Sequence, residues 1–234
     1  MSAFALSRRA ALLSGFALSL GACDEEPAQR KAFISFLQTR ILDRPGVHLP
    51  RPSAEETKSW GDYAKHYAVI VDFNDALSER VSKPMQDVVQ RGTPRSLQEV
   101  VDRRGDLQQI QRGIAALQAE LQRQLEAADA AHAALKQPDD LKRVYDAAYE
   151  RDVTGPARAF REVMPVVSES LAAALALADF LAQNRAKIRF NGPMVEVSDP
   201  ALQREVQARL TAMNGKAQAM QAAQQRLRSV VSGS

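Results

Sequence analysis

A second cysteine is what this 234-residue chain most plainly lacks: Cys23 stands by itself, so no disulfide within the chain can staple the fold. Its three histidines, His48, His66 and His132, have neither zinc-ligand spacing nor a neighbouring Glu motif. A nucleophile elbow, a phosphate-cradling glycine loop and a dinucleotide fingerprint are also missing. No metal or cofactor is therefore expected, and the chain is not expected to be an enzyme. Charge of one sign is lacking too, with 31 basic residues against 28 acidic. Aromatics are scarce at 6 %, while Ala and Gln are abundant and Gly and Pro cluster in short breaks. That balance predicts a mostly helical protein.

What is present begins at the amino terminus. Arg8 and Arg9 form a positive start, an apolar stretch follows over residues 10–20, and the small residues Gly21 and Ala22 precede Cys23. An export signal has an apolar region of about 7–15 residues, whereas a spanning helix wants about 20. Residues 1–22 are thus expected to be a cleaved signal peptide. Leu20-Gly21-Ala22-Cys23 resembles the lipobox of bacterial lipoproteins, in which the Cys thiol takes a diacylglycerol and the new amino group is acylated, often by palmitate. A cysteine directly after a small-residue cleavage site explains both its presence and its solitude. Two or more acyl chains anchor stably, at about 0.8 kcal/mol per buried methylene.

The neighbours of Cys23 refine the address. Asp24 and Glu25 resemble the signal that retains lipoproteins at the inner membrane, facing the periplasm; the alternative is the inner leaflet of the outer membrane. Ser7-Arg8-Arg9-Ala10-Ala11-Leu12 partly resembles a twin-arginine signal, although Ala11 replaces the favoured aromatic, so the export route stays open. Without the leader the charge is 29 basic against 28 acidic, only +1. The isoelectric point near 9.1 is partly a property of the leader and gives no reason to expect nucleic acid as a partner. Residues 23–27 are expected to be the acylated terminus and a short tether, which holds the domain within roughly 15 Å of the headgroups at about 3.5 Å per residue.

Residues 28–234 are expected to form one helical domain. Pro27 suits an early helical position, and the first helix runs to Leu42 before a break at Arg44-Pro45-Gly46. Arg30, Lys31, Arg40 and Arg44 are expected on its solvated face, with contact to anionic lipid as the alternative. Ser53-Ala54-Glu55-Glu56 fits a capping box. Behind it Trp60, Tyr63, Tyr67, Ile70, Asn74, Leu77 and Val81 recur every three or four residues, the mark of a helix facing another helix. Pro84 is expected to end or kink that helix, and Gly92-Thr93-Pro94 to form a loop.

The central element is long. Leu107, Ile110, Ile114, Leu117, Leu121, Leu125, Ala128, His132 and Leu135 make one seam, with His132 expected as a hydrogen-bonded core residue. Pro138-Asp139-Asp140 opens a short helix through Tyr145 and Tyr149, its carboxylates matching the positive helix end. Gly155-Pro156 is expected to start another helix, kinked at Pro165 and ending near Arg185. Its Ala/Leu-rich residues 171–181 are too short to span a bilayer and are expected in the core. Lys187-Ile188-Arg189-Phe190 and Met194-Val195-Glu196-Val197 alternate around Asn191-Gly192-Pro193, which predicts a hairpin. A hairpin alone is marginal in water, so it must lie on the helices or join a partner's sheet. Ser198-Asp199-Pro200 caps the last helix, with a seam of Leu202, Val206, Leu210, Met213, Ala217, Met220, Gln224, Leu227 and Val231. The expected fold is a helical bundle with long helices and one small β-hairpin near residues 187–197.

Two segments carry a family resemblance. Gln29-Arg30-Lys31-Ala32-Phe33-Ile34-Ser35-Phe36-Leu37-Gln38 and Ala130-Ala131-His132-Ala133-Ala134-Leu135-Lys136-Gln137-Pro138-Asp139-Asp140-Leu141-Lys142 resemble bacterial lipoproteins catalogued as domain of unknown function 3053. The order of lipobox, basic-apolar first helix, long helices, late hairpin and final helix agrees. The resemblance implies an envelope lipoprotein with a helical domain and transfers no activity or site residues; it draws attention to His132 and residues 136–140.

Two functions follow from these residues. The first is a membrane-anchored, non-enzymatic helical interaction domain that contacts an envelope protein partner. The alternative is an enzyme or small-ligand binder acting on lipid or cell wall, with Trp60, Tyr63, His66 and His132 as its lining.

Overall fold

Pro27 lies early in the first helix but past its first turn, because α1 runs Ala22–Phe36. So early in a helix a proline removes one i→i−4 bond, that to the Cys23 carbonyl, and the helix tolerates it. The tether expected over residues 23–27 is therefore helical. The computed structural model describes residues 22–92, 96–191 and 194–233. The leader, Thr93 and Pro94 of the expected loop, and Gly192-Pro193 of the hairpin turn lie outside the described residues.

A π-helical turn, Leu37–Leu42, ends α1. There the amides of Asp43 and Arg44 donate to the carbonyls of Gln38 (2.8 Å) and Ile41 (3.1 Å). Ser53 then opens α2 (Ala54–Ser59) with the expected reciprocal cap. Its hydroxyl accepts from the Glu56 amide at 3.1 Å, and the Glu56 carboxylate accepts from the Ser53 amide at 2.8 Å. Gly61, at φ +55°, turns the chain from α2 toward α3 (Ala64–Leu77). The far end of the Gln29 side chain of α1 lies over Gly61 and can move aside, so it is the positive φ that calls for glycine there.

Pro84 neither ends nor interrupts the helical path. A π-helical turn, Ser78–Ser82, carries α3 into α4 (Lys83–Gly92). Next come α5 (Leu97–Asp102), capped by Ser96, and the long α6 (Arg104–Ala133). Helix α7 (Asp139–Tyr149) starts after Pro138, as the sequence predicts.

The helix start expected at Gly155-Pro156 is found, but no break precedes it. A third π-helical turn, Glu150–Thr154, joins α7 directly to α8 (Gly155–Gln183), so Asp139–Gln183 is one helical run. A proline has no amide to offer and its ring crowds the carbonyl four residues back; widening the preceding turn accommodates both. Helix α8 also continues through Pro165.

Helix α8 is the spine of the core, packed against α6 on one side and α9 (Pro200–Ser232) on the other. By length and mean hydropathy the Asp139–Gln183 run could cross a membrane, the single such helical run among the described residues. Its Leu171, Leu175, Leu177, Ala178 and Leu181 are instead buried inside the protein, as expected of a core helix. The seam of α6 is buried from Leu107 to Ala128, and α3, with Ile70 and Phe73 buried, packs on α6. On α9 the expected seam is shallower. Leu202 and Val206 are buried, Leu210, Met213, Met220, Gln224 and Leu227 are half-buried, Ala217 is exposed, and the Val231 side chain lies outside the described residues.

The hairpin pairs β1 (Ile188–Asn191) with β2 (Met194–Val197), antiparallel, with Ile188 opposite Val197 and Phe190 opposite Val195. Those four face the helices, where they join Leu177, Leu181, Leu202 and Val206 in a second apolar cluster. The outward pair, Arg189 and Glu196, carries opposite charges. Period-2 alternation thus decides which face docks, and the hairpin covers the turn from α8 to α9.

Candidate functional site

The four residues singled out as a lining come together in one chain of rings. Phe33 of α1 lies 5.2 Å from Trp60 and 6.0 Å from Tyr63, centroid to centroid. Tyr63 meets His66 edge-on at 5.2 Å, and His66 meets Tyr145 at 6.3 Å. His132 lies 5.3 Å from Tyr145 and 4.1 Å from Tyr149. Helices α1, α3, α6 and α7 each supply rings, and tilted or edge contacts of this kind stabilise by about 0.5–1.5 kcal/mol each beyond burial. Trp60 and Tyr145 are almost wholly buried. The rings pack on one another.

The tyrosine hydroxyls and one ring nitrogen of each histidine in the cluster find partners. Tyr145 donates its hydroxyl to the His66 carbonyl and Tyr67 donates to the Pro50 carbonyl, both at 2.7 Å. Tyr149 donates to the Asp129 carboxylate at 2.7 Å, and Tyr63 donates to Glu26. Burial, reinforced by Glu26, pushes the Tyr63 phenol up to about 12. His66 Nδ1 lies 2.9 Å from the Gln137 amide, and burial holds its imidazole below the usual histidine range. His132 Nε2 lies 2.8 Å from Asp146 Oδ1, and Lys142 reaches the other oxygen at 2.7 Å. Burial raises the Asp146 carboxyl, but the hydrogen bonds from Lys142 and His132 outweigh it, so Asp146 sits below the usual carboxylate range. His132 is a hydrogen-bonded residue, as its seam position predicts, but at the edge of the core rather than within it.

The corner at residues 136–140 ties three helices together. Gln137 reaches His66, and Asp140 pairs with Arg30 of α1 at 3.5 Å. An open groove of about 550 Å³ between α1 and α2 is lined by Glu25, Ala28, Gln29, Ala32, Lys58 and Ser59 among others, not by the ring cluster. Cys23 and Asp24 lie in the first turn of α1, and Glu25 beside them is exposed. Among the described residues no group of three or more His, Cys, Asp or Glu side chains is arranged to hold a metal ion.

The sequence reading missed Arg151 and Asp152. Expecting a helix to start at Gly155-Pro156 left residues 150–154 outside any element. In the π-helical turn, Arg151 Nη1 donates to the carbonyls of Ile41 (3.1 Å), Leu42 (2.6 Å) and Arg44 (2.6 Å), which closes the end of the first helix. Asp152 is fully buried, the one buried charged residue among those described. Its Oδ1 accepts from the His48 amide at 3.3 Å. Its carbonyl, deprived of an amide by Pro156, accepts from Asn74 Nδ2 at 2.8 Å. Pro156 was the available signal, since a proline inside a helix orphans the carbonyl four residues before it.

A bundle of long helices, a late hairpin docked on it and a closed histidine–tyrosine cluster define the class: a mostly α-helical protein with a small antiparallel β element. Residues 10–228 match the family described as "Protein of unknown function (DUF3053)", and the chain belongs to that family. "Uncharacterized protein YiaF" of Escherichia coli (strain K12) is 34 % identical over 195 residues, covering 82 % of both chains. The protein of the same name from Shigella flexneri matches to the same extent. No solved structure matches the chain.

Proposed function

We propose that the chain is a bacterial envelope lipoprotein, acylated at Cys23, whose helical domain acts as a non-enzymatic interaction module at the periplasmic face of the inner membrane. The observation that carries this reading is the junction at Ala22, where a signal-like leader with a lipobox runs straight into α1. The same helix buries Phe33 and Phe36 in the core. Ten helical steps separate Cys23 from Phe33, about 15 Å at 1.5 Å per residue. An anchor at Cys23 would therefore hold the folded domain against the bilayer with little slack. The interaction role draws support from the ring cluster, whose histidines and tyrosines are engaged in packing and internal hydrogen bonds. Asp24 and Glu25 support retention at the inner membrane.

Metabolic labelling with an alkynyl palmitate tests the anchor. The wild-type chain is expected to take the label and fractionate with inner membranes, while Cys23→Ser loses the label and becomes soluble. An unlabelled wild-type chain would overturn the lipid anchor. Photocrosslinkers at Arg40 and Arg189, both exposed, test the partner. One discrete adduct, lost in Cys23→Ser, is the expected result, and recovery of only abundant neighbours would sink the interaction role.

A further inference from the structure

Residues 43–53 form a non-helical strap between the end of the first helix and α2, and Gly46 turns within it at φ +75°. Three side chains of the core hold this strap by its backbone. Arg151 takes the Arg44 carbonyl, Asp152 takes the His48 amide, and Tyr67 takes the Pro50 carbonyl. Asp152 holds the one buried side-chain polar atom without a partner among the described residues: Oδ1 has a single bond of 3.3 Å, and the fully buried Oδ2 has no hydrogen-bond partner.

We propose that Asp152 is a proton-operated latch on the strap, closed while its carboxyl is neutral and released when the carboxyl ionises. A buried carboxylate is costly unless both oxygens are hydrogen-bonded. The neutral acid keeps Oδ1 as an acceptor for the His48 amide, so the strap stays shut. Ionised, Oδ2 demands a donor that the closed structure does not supply, and water is the one at hand. The element that must yield is the strap, because the other cover of Asp152 is helix packed into the core.

The charged and titratable groups around the latch fit this assignment. From its own turn, Arg151 favours the anion, yet its Nη1 is committed to three carbonyls. From α3, the Tyr67 phenol is held neutral, pushed up by burial and then by Asp152 itself. From the strap, His48 contributes its amide while its side chain is exposed. Arg40, on the turn leading into the strap, is paired with Glu56 at 3.5 Å. Burial pushes the Asp152 carboxyl up to about 7, against the pull of the His48 amide and Arg151.

The sign follows from proton uptake. The closed state binds the proton more tightly than an opened, hydrated carboxyl near about 3.9. Opening therefore releases a proton and becomes easier as pH rises between those two values, then levels off above about 7. The latch acts on how α1 is tied to the rest of the domain. It does not depend on acylation at Cys23, so failure of either proposal leaves the other standing.

Amide hydrogen exchange on the full chain, corrected for intrinsic base catalysis, tests the latch between pH 5 and 8.5. The His48 amide is expected to lose protection about tenfold per pH unit from about 5 to 7 and then level off, as release of one proton requires. It should also exchange faster than the amides of α6 throughout. In Asp152→Asn the protection of His48 should not change with pH. Carbon-13 titration of the wild-type Asp152 carboxyl should show a midpoint between 6 and 8, and it decides the matter even if the variant does not fold. Protection that is flat in the wild type, an unchanged slope in Asp152→Asn, or a midpoint below 5 would overturn the proposal.

Discussion

Asn74 stands in an apolar stripe for a backbone reason. Trp60, Tyr63, Tyr67, Ile70, Leu77 and Val81 on the same stripe are buried, and the spacing alone predicts that face. The amide of Asn74 instead reaches the Asp152 carbonyl, which Pro156 deprives of its helical partner. Replacing Asn74 with Leu keeps the branched shape, with some added bulk, and strands that carbonyl. The expected loss is about 1–3 kcal/mol, read from urea unfolding. Loss below a few tenths would show that water takes over the carbonyl. The stripe was legible in the sequence because helical spacing is local. The pairing of Asn74 with Asp152 was not, because it joins residues 78 positions apart.

Among the elements, caps were readable and π-helical turns were not. Ser53-Ala54-Glu55-Glu56 contains every group of its capping box, and the reciprocal bonds form as the spacing predicts. Ser53→Ala removes the bond to the Glu56 amide and is expected to cost about 1 kcal/mol, with more rapid amide exchange over α2 as the direct check. The hairpin was equally readable, since alternation assigns Ile188, Phe190, Val195 and Val197 to one face. Pro84 and Pro156 misled in the same way. A proline disfavours the ordinary helical turn, but each is preceded by a wider turn that lets the helix continue, Ser78–Ser82 in one case and Glu150–Thr154 in the other. Whether the chain breaks or widens depends on what packs beside it. Tertiary contacts on both sides of the second turn, from Asn74 and the strap, favour widening.

Over the whole molecule, α9 returns along α8 and closes the core from outside. Met213, Met220 and Leu227 pack on the main cluster, Ala223 is buried there, and Lys216 pairs with Glu169 at 2.6 Å. At its end the chain passes so close to the strap that a Cβ on Gly233 would collide with the backbone of Pro45 and Gly46. A chain ending after Met213 forfeits the burial of Met220, Ala223 and Leu227. The expected loss is on the order of 3 kcal/mol, with a lower urea midpoint and most far-ultraviolet helicity retained. An unchanged midpoint would mean that the distal half of α9 is not part of the cooperative unit.

The sequence by itself determined the elements whose causes are local: the caps at Ser53 and Asp199, the seam of α6, the start of α7 after Pro138 and the face of the hairpin that docks. It also marked His132 as a hydrogen-bonded seam residue, although the structure puts it at the edge of the core rather than within it. Only the tertiary structure decided which groups without a local partner would meet. It brought Arg151 onto the carbonyls ending the first helix, Asn74 onto the carbonyl freed by Pro156, and the buried carboxyl of Asp152 onto the strap. Spacing along a helix fixes a direction for each side chain, but a hydrogen bond across the core needs two directions to converge. That convergence is a property of the packed helices, and no single stretch of sequence contains it.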